Sequence, residues 1–173
     1  MIEAAYTTLL DEALEGWAGV REGVIAEVEN IPADRLEWRW AEGSRSVGEL
    51  IEHILESGLL FKELIRPDGD FTRAPYPDLL HEHAGDLPRG RDQESLLALL
   101  EETHASVEAS IRQVGELQML QAIRRFDGLP GTRLAWFQHG VAHEYYHGGQ
   151  LALVARLLGE VPALTQRIQA MSE

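Results

Sequence analysis

Apolar side chains recur along the chain with the period of an α-helix in four separate stretches. In the first, Ala5, Leu9, Leu10, Ala13, Leu14, Trp17, Val20, Val24, Ile25 and Val28 follow the 3.6-residue repeat and predict a helix from Glu3 to Glu29. Gly16, Gly19 and Gly23 lower its intrinsic propensity and mark either a close helix approach or a local irregularity. Pro32 interrupts the pattern, and a linker leads to Ser46 followed by Glu49, the signature of a capping box. The second helix runs through Val47, Leu50, Ile51, Ile54, Leu55, Leu59 and Leu60 to Ile65, where Pro67 prevents its continuation.

From Arg66 to Arg91 the period fails and Pro and Gly are frequent, so this segment reads as a long crossover in which only "PDLLHEH" can form a short helix. Asp92 can cap a third helix whose inward face takes Leu96, Leu97, Leu100, His104, Val107, Ile111 and Val114 and which continues toward Ile123. Gly128, Pro130 and Gly131 mark a turn. Thr132 then starts a fourth helix through Trp136, Phe137, Gly140, His143, His147, Leu151, Val154 and Leu158, closed by Gly159 and Pro162. Period-two alternation is weak throughout. Four amphipathic helices that must bury their stripes against one another predict an all-α four-helix bundle with a long crossover between helices 2 and 3, in one domain spanning residues 1–173.

Composition narrows the chemistry. The 29 acidic against 15 basic residues give a net charge of -14, which repels phosphate backbones and argues against a nucleic-acid partner, with local exceptions possible only around Arg124, Arg125 and Arg133. With no cysteine, disulfides, thiolate ligands and a cysteine nucleophile are excluded. No apolar run approaches the roughly 20 residues of a membrane span, and the N-terminus lacks the pattern of a secretory signal, so no membrane association and a cytoplasmic location are expected.

The stretch "HGVAHEYYHGGQL" holds three of the seven histidines. On a helix His143 and His147 lie about 40° apart around the axis, so both can face one metal ion. They share the stripe of Trp136, Gly140, Leu151 and Val154, and a buried imidazole needs a metal or a hydrogen-bond partner. A mutual hydrogen bond is the alternative. His53, near the inner face of the second helix, supplies a third candidate nitrogen; three neutral imidazoles plus water or substrate suit zinc, nickel or ferrous iron.

Other readings compete for the same residues. His104 can be a fourth ligand, a proton carrier or a core histidine, and His139 lies beside the cluster. Glu101 with His104 and Glu144 with His147 repeat the spacing of dinuclear carboxylate bundles, with Glu12, Glu15, Glu49, Glu52 and Glu56 as further suppliers. Glu144, Tyr145, Tyr146 and Gln150 are candidates for orienting imidazoles or binding substrate. His81 and His83 in "HEH" read as exposed crossover residues before they read as ligands, and Trp38 and Trp40 can cover a pocket or simply pack.

The helix order, the approach "WRWAEGSRSVGELIEH" and the later "HEYYHGGQL" resemble the DinB-like (damage-inducible) metal-binding helical bundle family. That family is related to the N-terminal domains of mycothiol-dependent maleylpyruvate isomerases and to bacillithiol transferases, and the resemblance spans nearly the whole chain. It implies a DinB/YfiT-like metalloenzyme fold with an unusual bundle order, one divalent metal ion on His53, His143 and His147 (zinc or nickel first, iron next), and a homodimer. The sequence departs from the family at Tyr146, where many relatives carry another histidine. It departs again at Gly148, where a basic residue is common and could contact an anionic substrate.

The expected function is a metal-dependent enzyme acting on an unidentified small molecule, as a hydrolase or as a transferase of a low-molecular-weight thiol, with no catalytic residue assigned. The alternatives are a non-enzymatic, stress-associated metal or small-molecule binding protein, and a helical dimer whose histidines satisfy core hydrogen bonds.

Overall fold

Each long helix begins where a side chain can accept a hydrogen bond from a free amide. In the computed structural model, which describes residues 8–87, 92–125 and 128–172, Thr8 caps α1 (Leu9–Asn30) by accepting from the Asp11 amide at 3.0 Å. Ser46 and Glu49 form the expected box at α2 (Val47–Ile65), with reciprocal bonds of 3.2 and 2.9 Å. Asp92 caps α4 (Gln93–Val114) and Thr132 caps α6 (Arg133–Leu157). The expected first turns from Glu3 and the Arg91 end of the crossover lie outside the described residues.

Three local expectations are corrected. The third helix stops at Val114 instead of reaching Ile123, because Gly115 takes φ +79°, a left-handed conformation that ends the helical ladder. The chain then forms a single turn, α5 (Glu116–Met119), and a small antiparallel ribbon of β1 (Ala122–Arg124) on β2 (Pro130–Thr132), with Ile123 opposite Gly131. Strands of three residues are too short to display alternation, so the ribbon left no readable pattern. Pro162, read as a terminator, also opens a further helix, α7 (Ala163–Ala170), held to the end of α1 through Asn30 and Gln166. Gly16, Gly19 and Gly23 mark no close approach: no atom lies within 4 Å of where their Cβ would be.

The bundle order follows from which helices touch. α1 packs on α6 and α4, and α2 packs on α4 and α6, so α1 lies diagonally opposite α2, and α4 diagonally opposite α6. One apolar cluster joins the start of α1 (Leu10, Leu14) and of α6 (Trp136, Phe137) to the ends of α2 (Leu64, Ile65) and α4 (Ile111, Val114). The second joins the opposite ends, through Val28, Ile51, Leu96 and Val154. Hence α1 and α6 run one way and α2 and α4 the other. Because α2 and α4 are parallel, the chain between them must travel the length of the bundle, about 28 Å for a helix the length of α2. It does so with α3 (Tyr76–Ala84) packed on α2; Phe71 and Leu79 enter the first cluster and Leu87 the second. None of the described helices is long and apolar enough to cross a membrane.

Between the two clusters lies a polar layer. Arg21 on α1, 2% exposed, forms an ion pair with Glu144 on α6, 5% exposed, through Nε to Oε1 and through Nη2 to Oε2 at 3.0 Å. Its Nη1 donates to the Leu100 carbonyl at 2.7 Å and to Thr103 Oγ1 at 3.2 Å on α4, while Trp17 Nε1 donates to Glu144 Oε2 at 2.9 Å. Removing one partner of such a pair leaves a buried charge without compensation. Glu144→Ala is expected to cost about 3–5 kcal/mol in urea unfolding, and Arg21→Met in a Glu144→Leu background to recover part of that loss. A cost below about 1 kcal/mol for Glu144→Ala would show that the pair is solvated.

Candidate metal centre

The Arg21–Glu144 pair sets the rotation of α6. With Glu144 turned toward α1 and α4, the neighbouring His143 is offset by about 100° around the axis and His147 follows one turn later on nearly the same side. Both reach His53, which belongs to the unbroken buried run Leu50–Ser57 of α2.

The structure brings His53, His143 and His147 together, with one ring nitrogen of each inside a group spanning no more than 4.8 Å. His143 Nε2 and His147 Nε2 are 3.2 Å apart, near the spacing of about 3.3 Å that two nitrogens adopt on a tetrahedral metal. The same distance permits the mutual hydrogen bond that is the alternative reading of this pair. Gln150 Oε1 lies 2.6 Å from His147 Nδ1; accepting the proton there leaves Nε2 bare and facing the group. Glu56 Oε2 is 3.8 Å from His53 Nδ1, longer than a hydrogen bond.

All three imidazoles are held neutral. Burial, then the charge of Arg45 and the other two histidines, push His53 down to about 3. His143 falls to about 4 through burial, then His147, His139 and Arg45. His147 is lowered by burial against the opposing hydrogen bond to Gln150. Neutral nitrogen is the form that ligates metal, so this donor set fits a divalent ion of the zinc, nickel or iron type and leaves coordination positions for other ligands. An open cleft of about 490 Å³, lined by Trp40, Gly43, Ser44, Arg45, Leu50 and Gln150, adjoins the group through Gln150.

The other candidates fall elsewhere. His104 packs tilted against Trp17, with ring centroids 4.1 Å apart, and is not in the three-nitrogen group. His139 is exposed and packs edge-on to Trp136. Glu144 orients no imidazole, because Arg21 and Trp17 take its carboxylate, and Glu101 is exposed; the dinuclear arrangement therefore has no support. Tyr145 and Tyr146 are both largely exposed, and Tyr146 accepts from Gln150 Nε2 at 3.4 Å. His81 is exposed, while His83 sits 3.0 Å from Arg73, which pairs with Glu82. Trp40 lines the cleft and Trp38 packs on the second apolar cluster.

Arg133, named as a basic exception, is buried and donates to Gln121 Oε1 and the Pro67 carbonyl. At Gly148 a Cβ would meet Val24 at 3.2 Å, so a side chain there would start against α1. The residues missed from sequence are Arg21, hidden in an acidic, glycine-broken helix, and Arg45, which lies within the quoted approach to α2 but is given no role there.

A model of the DinB superfamily matches residues 10–151. No curated protein matches the chain. Among solved structures, a DinB-like protein of Bacillus subtilis, YjoA, shares 25% identity with a TM-score of 0.66, over 87% of this chain and 93% of that one. YfiT of Bacillus subtilis, a probable metal-dependent hydrolase with an unusual four-helix bundle topology, superposes with a TM-score of 0.68 at 18% identity, over 92% and 93% of the two chains. A mycothiol-dependent maleylpyruvate isomerase gives a TM-score of 0.64 at 12% identity, covering 87% of this chain and 63% of its own. The last two likenesses concern the fold.

Depressed histidine pKa values make stability depend on pH. The unfolded chain takes up protons near pH 6.5, whereas folded His143 and His53 resist protonation down to about 4 and about 3. The stability these groups contribute is thus fully present above about pH 6.5 and is lost as pH falls toward those values. Urea unfolding of chelator-treated protein at pH 7, 6 and 5 should show a progressive loss that is shallower in His53→Gln. Equal slopes in both proteins would contradict the depressed values.

Proposed function

We propose, from the premise that this chain belongs to the DinB superfamily, that it is a metal-dependent enzyme in which His53, His143 and His147 hold one divalent ion. The observation that carries this reading is the convergence of three neutral imidazoles, two buried and that of His143 half-buried, with His147 fixed in its tautomer by Gln150. Zinc and nickel suit the all-nitrogen set best, and iron is the further candidate. Such an ion supplies Lewis acidity, which acidifies water for hydrolysis or a low-molecular-weight thiol for transfer. The chain's own residues shape what reaches it: Gln150 holds His147, Glu56 lies 3.8 Å from His53 Nδ1, and the cleft beside Trp40 and Arg45 admits a small molecule.

The cleft is what favours an enzyme over a closed metal-binding protein, since His104 lies outside the group and does not fill a fourth position. Hydrolysis is the first reading of the reaction, thiol transfer the second, and the cytoplasm the expected site of action. Leu153 and Leu157 on α6 and Leu164 and Ile168 on α7 are each more than half exposed, and it is to these apolar side chains that we assign the pairing of two copies.

Purified protein should carry about one metal ion per chain, and His53→Ala, His143→Ala and His147→Ala should each lose it. Gln150→Ala should weaken metal affinity about 10–100-fold while leaving the fold intact. Full metal retention by all three folded histidine variants would sink the assignment. Metal-dependent turnover of ester, amide or phosphoester substrates would select hydrolysis, and saturable thiol binding with conjugate formation would select transfer.

Pairing is tested by sedimentation, where wild type should behave as a dimer and Leu157→Glu as a monomer. A monomeric wild type would remove the pairing.

A further inference from the structure

The loop before α2 delivers one arginine to the cleft and holds it there by a set of bonds that leave its own guanidinium unused. Val47 and Gly48 donate to the Trp38 and Leu36 carbonyls at 3.1 and 2.8 Å, and Ser44 closes a turn on Ala41 at 3.1 Å. Gly43 supplies the positive φ, +79°, that this turn requires. Arg39 clamps the loop to the helix start, with bonds of 2.6 and 2.7 Å to Glu49 and one of 2.5 Å to the Ser44 carbonyl.

Arg45 follows directly. It is exposed, lines the cleft beside Trp40, Ser44 and Gln150, and makes no ion pair or hydrogen bond among the described residues. It shares the cleft with Gln150, whose Oε1 lies 2.6 Å from His147 Nδ1, and its positive charge is felt at His53, His143 and His147 and at Tyr76 of the crossover helix. Glu49, in the first turn of the helix that follows, is already engaged by Arg39. The chain carries a net charge of -14, so a cation without a hydrogen-bonded partner beside the three histidines opposes the general field and makes a local anion site.

We infer that Arg45 is a specificity-determining residue that takes the anionic group, carboxylate or phosphate, of a small-molecule substrate entering the cleft lined by Trp40, Ser44 and Gln150. The inference rests on the reading of the three histidines as the reaction centre but adds a substrate class to it. A basic side chain at position 148 is not needed for this role, because Arg45 lines the cleft from the loop before α2. Trp40 gives the same cleft an aromatic wall, which suits an anion borne on an apolar body.

The test is calorimetric titration of inorganic phosphate and of succinate into zinc-loaded and chelator-treated protein at low ionic strength. It compares wild type, Arg45→Ala, Arg45→Lys and, as a control for net charge, Arg112→Ala, whose partners are Asp11 and Glu108 on α1 and α4. Wild type should bind at least one of the two anions, the preference identifying phosphate or carboxylate. Arg45→Ala should weaken that binding at least tenfold, Arg45→Lys should restore part of it, and Arg112→Ala should not change it.

Equal affinity in wild type and Arg45→Ala, or no binding of either anion by wild type, overturns the inference. Metal content and thermal unfolding of the same samples separate the two readings. Loss of the metal reading alone appears as Arg45-dependent anion binding in protein whose histidine variants retain metal. Loss of this inference alone appears as histidine-dependent metal with anion binding indifferent to Arg45.

Discussion

A single buried ion pair fixes how the helices of this protein stand against one another. Arg21 and Glu144 sit together away from water, so each needs the other. The remaining donors of Arg21 go to α4 and the remaining contact of Glu144 goes to Trp17, which ties three helices at one level. The rotation of α6 is thereby set, and with it the side from which His143 and His147 project. The candidate centre is in this sense downstream of a bond that touches none of its nitrogens.

That level separates two apolar clusters, one at each end of the bundle. Continuous hydrophobic packing through the middle would give a simpler core, yet the middle carries Arg21, His53, Glu56, Thr103, Glu144 and His147, all buried. Burial without solvation is costly for such groups unless hydrogen bonds or ligands replace water. Arg21, Glu144 and Thr103 find partners within the protein. The histidines instead lose their charge, which is the condition for binding a metal. The clusters at either end supply the stability that allows the middle to be polar.

Electrostatics at the cleft run against the rest of the surface. The chain is strongly acidic, but the imidazoles are neutral and Arg45 brings a positive charge to their edge. Its position depends on a turn with a glycine at positive φ and on Arg39, whose bonds to Glu49 and Ser44 stiffen the loop. Glu49 serves twice there: it completes the capping box with Ser46 and anchors Arg39. One local device that starts a helix therefore also shapes the rim of the site.

The sequence by itself determined the helices, their caps and the spacing of the histidines, because these depend on interactions within a few residues. Ser46 with Glu49, Asp92 and Thr132 announced their helix starts, and His143 with His147 declared a shared face. The ribbon around Ile123 and Gly131 escaped because its strands are too short to carry a period, and α7 because Pro162 reads equally as an end and as a beginning. Tertiary structure alone decided that Glu144 belongs to Arg21, that His104 packs against Trp17, and that Arg45 shares a cleft with Gln150, the partner of His147. Each of these joins residues on different helices or from a loop to a helix. Which partner a charged or polar side chain meets there is set by how the bundle closes, and local spacing holds no record of that.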